Sequence, residues 1–185
     1  MNKKVLLSGL VGAVVLIVWT FVLNGVLGFN ARLNMNRGPN EPEVYSVLKA
    51  TITEPGRYLC NPALTSDGRF PDNEPVFGIQ YAGVGHEAAG LGAILGLFQF
   101  LIVPLLGAWM LSKTSEKYRS RFINRAGFFV IIGVLVAITG DLSSFGIGAS
   151  PLTVSLIFAV RTIVTWTIVG TAIASIMRPV HQTEA

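Results

Sequence analysis

The sequence predicts an all-α membrane protein: four transmembrane helices in a bundle, with a small outward helix-plus-β-ribbon insertion between helices 1 and 2. Three observations predict it. The chain of 185 residues is 51% hydrophobic and only 13% charged, with a mean hydropathy of +0.60, which sets it apart from ordinary soluble domains. Four apolar stretches reach the roughly 20 residues needed to cross ~30 Å of hydrocarbon. Lys and Arg are shared unequally between the segments that join those stretches. Burying four such stretches in a soluble fold would require a large polar shell, and this chain has none.

The first stretch, Val5–Gly28, follows Met-Asn-Lys-Lys and so resembles a signal peptide. Its apolar run to Leu23 exceeds the usual ~7–15 residues, and no clean Ala-x-Ala site follows, so it is expected to stay as an anchor and first helix. The other three run Ala88–Leu111, Ala126–Ser144 and Pro151–Met177. Four spans place both termini on one side. That side carries Lys3, Lys4, Lys113, Lys117, Arg119, Arg121, Arg125 and Arg178 against only Glu116 and Glu184, whereas acids outnumber bases in the opposite segment, residues 29–87. The excess of positive charge predicts cytoplasmic termini, a basic cytoplasmic loop at 112–125 and an outward, periplasmic insertion at 29–87, in a bacterial inner membrane. The isoelectric point near 9.5 reflects this asymmetry. It argues for contact with anionic lipid rather than nucleic acid, because the basic residues hug the membrane surface.

The insertion begins with an irregular Asn-rich stretch, residues 29–40. Asn40 is placed as an N-cap, with Glu41 and Pro42 in the first helical turn, where acids suit the helix dipole and proline loses no hydrogen bond. Val44, Val47, Leu48 and Ile52 share one face of that helix, and Pro55-Gly56 ends it. Arg57–Asn61 and Val76–Tyr81 read as two strands around the turn-rich stretch from Leu64 to Pro75. Such a unit is too small to build its own core, so it is expected to pack on the outer helix ends or on another protein. The lone cysteine, Cys60, is expected as a half-buried strand residue, with an intermolecular disulfide or a reactive thiol as the alternatives.

Arg161 is the only charge in the fourth stretch, and an arginine in hydrocarbon costs from ~2.5 to more than ~10 kcal/mol unless it is met by a partner, water or the interface. Asp141, near the outer end of the third stretch, is its natural partner. The short connection makes the two helices an antiparallel hairpin, and side chains tilt toward their helix N-terminus, so the two lean toward each other. This intramembrane ion pair, Asp141 with Arg161, would lock the hairpin's rotation. The alternatives are a polar cavity for an anion, a lipid headgroup or a partner's carboxylate, and an ion pathway. Small residues at four-residue spacing mark close helix packing, with Gly92, Gly96, Gly133 and Gly170 as its main positions, within the bundle or against another subunit. Pro104 is expected to kink the second helix, with Gln99, one turn earlier, as an interhelical hydrogen-bonding group.

His86-Glu87 is too few groups for a zinc site, and His181 falls on the other side of the membrane; interfacial snorkelling is the expected role. No Ser-His-Asp set, phosphate-binding glycine loop, Cys-x-x-Cys-His motif or His-rich helix is present. No catalytic, cofactor-binding or metal-binding residue is therefore assigned, and no enzyme is expected. The absence of an inverted repeat weakens the case for a transporter.

Several features together resemble a family of small four-span bacterial inner-membrane proteins to which no function is assigned. They are the Trp19-containing first span running into Phe29-Asn30-Ala31-Arg32-Leu33, the Glu43-Val44 helix, Pro55-Gly56-Arg57-Tyr58 with Pro62, and Pro75-Val76-Phe77-Gly78. Where such relatives often carry an aromatic-His pair, this chain has Phe29-Asn30. The resemblance implies a topology and no catalytic residues. Taken together, the sequence points to a non-enzymatic accessory or scaffold subunit of a larger inner-membrane complex, partnered by the bilayer and other membrane subunits. The alternative is a small transporter or lipid- or anion-binding protein with a polar cavity around Arg161 and Asp141.

Overall fold

The computed structural model describes residues 2–147 and 149–178, apart from the side chains of residues 86–88. His181 and the side chains of His86, Glu87 and Ala88 thus lie outside the described residues. Helix α1 (Lys3–Phe21) starts at Asn2, whose side chain accepts from the Lys4 amide, and continues through a π-helical turn, Val22–Val26. Gly28, at φ 61°, turns the chain into the short α2 (Phe29–Asn34). Next come α3 (Glu41–Thr51), β1 (Gly56–Cys60), β2 (Phe77–Tyr81), α4 (Gly85–Ser112) and α5 (Glu116–Ser120). Helix α6 (Phe122–Val136) runs into a second π turn, Ala137–Asp141, and a 3-10 turn, Leu142–Ser144, before α7 (Leu152–Ile176).

Among the described residues, four helical stretches are long and apolar enough to cross a membrane: Lys3–Val26, Ala89–Ser112, Phe122–Ser144 and Leu152–Ile176. The third starts earlier than its apolar run suggests, at Phe122, which brings Arg125 inside the helix. Helix α1 packs between α4 and α7, and α6 packs on a different side of α7. The core lies toward the end where Lys3 and Arg178 sit, called here the terminal end. It contains Val5, Ala108, Leu111, Phe129, Val169, Ile173 and Met177.

Missing side chains let these helices approach. A Cβ added at Gly9 would lie 2.8 Å from the Leu105 Cα, and one at Gly12 would lie 2.7 Å from Ile173. The same addition at Gly133 would meet the Trp166 Cβ at 2.8 Å, and at Gly170 it would collide with Phe129. Gly133 and Gly170 are therefore packing positions, as expected from their spacing. Gly92 and Gly96 are not: a Cβ at either meets nothing within 4 Å. The reason is that α4 packs through its second half, at Pro104, Leu105, Gly107 and Ala108, while its first half stands clear of the other helices.

In the insertion, β1 and β2 pair antiparallel with Tyr58 opposite Ile79 and Cys60 opposite Phe77. Asn40 does precede α3, but at φ 59° and with no side-chain capping bond; its carbonyl accepts from Glu43 and Val44 instead. Cys60 is in a strand as expected, yet exposed rather than half-buried, because nothing covers that face of the two-stranded ribbon. No residue from Phe21 to Gly85 is buried.

Candidate functional site around Arg161

The expected contact between Asp141 and Arg161 is not made. Among the described residues the one ion pair within 4.0 Å joins Arg69 to Asp67 in the exposed insertion. Helix rotation explains the difference. Gly170 meets Phe129 of α6, and Ile163 meets Gly133 of α6, so these residues define the face of α7 turned to the third helix. Gly170 is nine positions from Arg161, and at ~100° per residue that is about half a turn away. Arg161 therefore faces α1 and α2 instead. Height adds to the separation. Ser144 Oγ and Ser155 Oγ lie 3.0 Å apart and level the two helices. Asp141 is three residues from this rung and Arg161 six, which leaves Arg161 about 4.5 Å deeper.

Aromatic rings take the place of the carboxylate. The Arg161 guanidinium carbon lies 4.9 Å from the Phe158 ring centre and 5.8 Å from that of Phe29. Those two rings pack edge to face at 5.7 Å. One helical turn below, Thr165 Oγ1 donates to the Arg161 carbonyl at 2.8 Å and accepts from Trp19 Nε1 at 3.0 Å. Trp19 and Phe29 thus tie the end of the first helix to the Arg161 face of α7. The guanidinium itself donates no hydrogen bond among the described residues. Two cation–π contacts contribute ~0.5–2 kcal/mol each. That would offset only part of the cost such a charge meets in hydrocarbon.

Arg161 borders two cavities. One, of about 510 Å³, is a groove open to the side between the first helix and α7; apart from Arg161, its walls are Trp19, Leu23, Phe29, Thr153 and the aliphatic residues of α7. The other, of about 260 Å³, lies within the bundle and has walls from all four long helices, with Gln99, Thr162 and Thr165 supplying further polar groups. Both π turns bring polar side chains to this end of the bundle. Asn24 Oδ1 and Asp141 Oδ2 are buried there without a hydrogen-bond partner among the described residues. π turns recur at functional sites because they displace side chains from the regular helical face.

A second arginine was not anticipated. Arg125, counted above with the loop charges, is buried at the terminal end, where its Nε donates to the Ala174 carbonyl at 2.9 Å. Its Nη1 donates to the carbonyls of Arg119 and Ser120. It thereby satisfies carbonyls at the ends of α5 and α7 that the helices leave open. Lys4 Nζ donates to the Arg178 carbonyl nearby and ties the start of α1 to the segment that follows α7. Arg125's position at the edge of an apolar run was the available signal. Sequence alone, however, places no helix end beside it.

Comparison with protein-family models, curated proteins and solved structures returns no match for this chain.

Proposed function

We propose that this chain is a multi-pass inner-membrane protein with cytoplasmic termini that acts as a non-enzymatic accessory or scaffold subunit of a larger membrane assembly. One observation carries the reading. The insertion lies outside the span-length helices, yet it buries none of its large apolar residues. Tyr45 is 64% exposed, Val47 60% and Phe77 61%. Side chains exposed in the long helices would be covered by lipid, but a run of such residues in an aqueous segment marks a surface awaiting a partner. A gap of about 840 Å³ between the ribbon and the Ser143–Pro151 connection agrees, since the insertion does not settle onto its own helices. The open first half of α4, with Gly92 and Gly96 uncovered, offers a membrane-level surface for the same partner.

Native mass spectrometry after gentle solubilisation tests the reading. A protein partner in fixed stoichiometry is expected, and it should be lost from a Tyr45→Ser, Val47→Ser double variant. Ile123→Ser, a change at an equally exposed helical position, should retain it. A chain that runs alone, or a partner indifferent to the double variant, would count against the subunit role.

A further inference from the structure

We infer that the cavity within the bundle is a binding site for a compact monocarboxylate with an apolar body, whose carboxylate is held by Arg161 together with Gln99 and Thr162. The inference stands apart from any subunit role. It rests on three polar side chains that the helices leave open toward one space. The lateral groove between the first helix and α7 meets Arg161 through carbon only, because none of its walls exposes a polar atom. Yet the guanidinium nitrogens have no ion pair within 4.0 Å among the described residues and are not among the unpartnered polar atoms that the fold seals off. The other space that Arg161 borders, the cavity, does expose polar surface, which places the donors on that side. Thr162 is only 9% exposed; its hydroxyl makes no hydrogen bond among the described residues and is likewise not sealed off. Gln99 makes no interhelical hydrogen bond among the described residues either, and borders the same cavity from α4.

The remaining walls, among them Leu16, Phe100, Val103, Val136 and Trp166, are apolar. A small inorganic anion would leave them unfilled, and a neutral molecule would leave the guanidinium unpaired. One arginine balances one negative charge, so a dianionic phosphate would leave excess charge in an apolar setting, at high cost. Arginine's planar fork receives a carboxylate with two parallel hydrogen bonds, and Gln99 and Thr162 each bring a further donor. An apolar cavity of ~150 Å³ holds a benzene molecule. The volume of about 260 Å³ therefore has room for an aryl or short alkyl acid. Its walls on α4 lie in the turn before the packed half of that helix begins at Pro104. A ligand thus reaches it past the uncovered first half of α4, without opening the core at Phe129. The same chemistry is carried by a free acid and by the carboxylate end of a fatty acid from the bilayer.

Trp166 in the cavity wall is a built-in reporter. The full-length chain, in phosphatidylcholine nanodiscs, is titrated with para-bromobenzoate and with its neutral analogue para-bromobenzamide. Bromine quenching is measured in the parent and in Trp166→Phe, so that the difference isolates Trp166. Saturable quenching is expected, with the acid binding about tenfold or more tighter than the amide. Arg161→Gln should bring that ratio near one. Gln99→Leu, at an exposed position, should weaken the acid roughly fivefold through loss of one donor and leave the amide unchanged. Displacement by octanoate alone identifies a free acid as the ligand, and displacement by oleate as well identifies the end of an acyl chain; either result supports the site. Absence of saturable Trp166 quenching overturns the proposal, and so does an acid-to-amide ratio near one in the parent or an unchanged ratio in Arg161→Gln. Displacement of the acid by chloride or inorganic phosphate would also overturn it, since the site would then read a bare anion. If Arg161→Gln fails to fold, the parent's ratio and the Gln99→Leu titration decide by themselves.

Discussion

At the terminal end of the bundle, Phe129 fills the space between Gly107 and Gly170, and Arg125 closes the helix ends around it. At the insertion end, a Cβ added to Gly92 or Gly96 would meet nothing within 4 Å, and Arg161 borders an open groove and a cavity within the bundle. Both ends use the same elements, small residues at helical spacing and a single arginine in an apolar setting. The difference is whether another helix arrives to meet them. At the terminal end the glycines set helix–helix distance and the arginine finds carbonyls. At the insertion end the same residue types are left with surface and charge to offer. The first arrangement is architecture, and the second is capacity for binding.

This contrast can be broken by experiment, most forcefully at Gly170. A Gly170→Leu change must push Phe129 out of the core, and overpacking of this kind costs about 3 kcal/mol or more. Thermal unfolding in detergent should show a large drop or no folded protein. Arg125→Gln comes next. It strips charge-assisted bonds from carbonyls on α5 and α7 and should cost about 2–3 kcal/mol, read in the same melt. Trp19→Phe removes one interhelical hydrogen bond, to Thr165, and should cost about 0.6–1 kcal/mol. Gly92→Leu closes the series. With no neighbour to displace, its melt should stay within ~0.5 kcal/mol of the parent, while any partner complex is weakened. If Gly92→Leu destabilised the isolated chain as much as Gly170→Leu, the two ends would not differ in the way the packing says.

The parts legible in the sequence were those fixed by local pattern. Apolar length located four membrane-length helices, and turn residues bracketed α3 and the two strands to within a few residues. Gly133 and Gly170 were found from spacing alone, yet Gly92 and Gly96 carry the same spacing and pack against nothing. Spacing reports that a backbone can be approached, and the approach itself depends on where α1 and α6 lie. Asp141 and Arg161 show the same limit. Their depths along the hairpin were readable, but their rotation was not, because it is set by Phe129 and Trp166 wedging against glycines in the facing helix. Phe158, Arg161 and Thr165 do share one face of α7 at helical spacing. The Trp19–Thr165 and Phe29–Arg161 contacts link residues more than a hundred positions apart, and no local pattern announces them.

By itself, then, the sequence determined the number and length of the apolar helices, the place and modest size of the insertion, and the isolation of one arginine. These follow from composition and period, which each segment carries without help. The tertiary structure alone decided which glycines are covered, which arginine is satisfied and which faces a groove. Those outcomes depend on the rotation of helices about their own axes, and that rotation is settled by the fit of side chains contributed from distant parts of the chain.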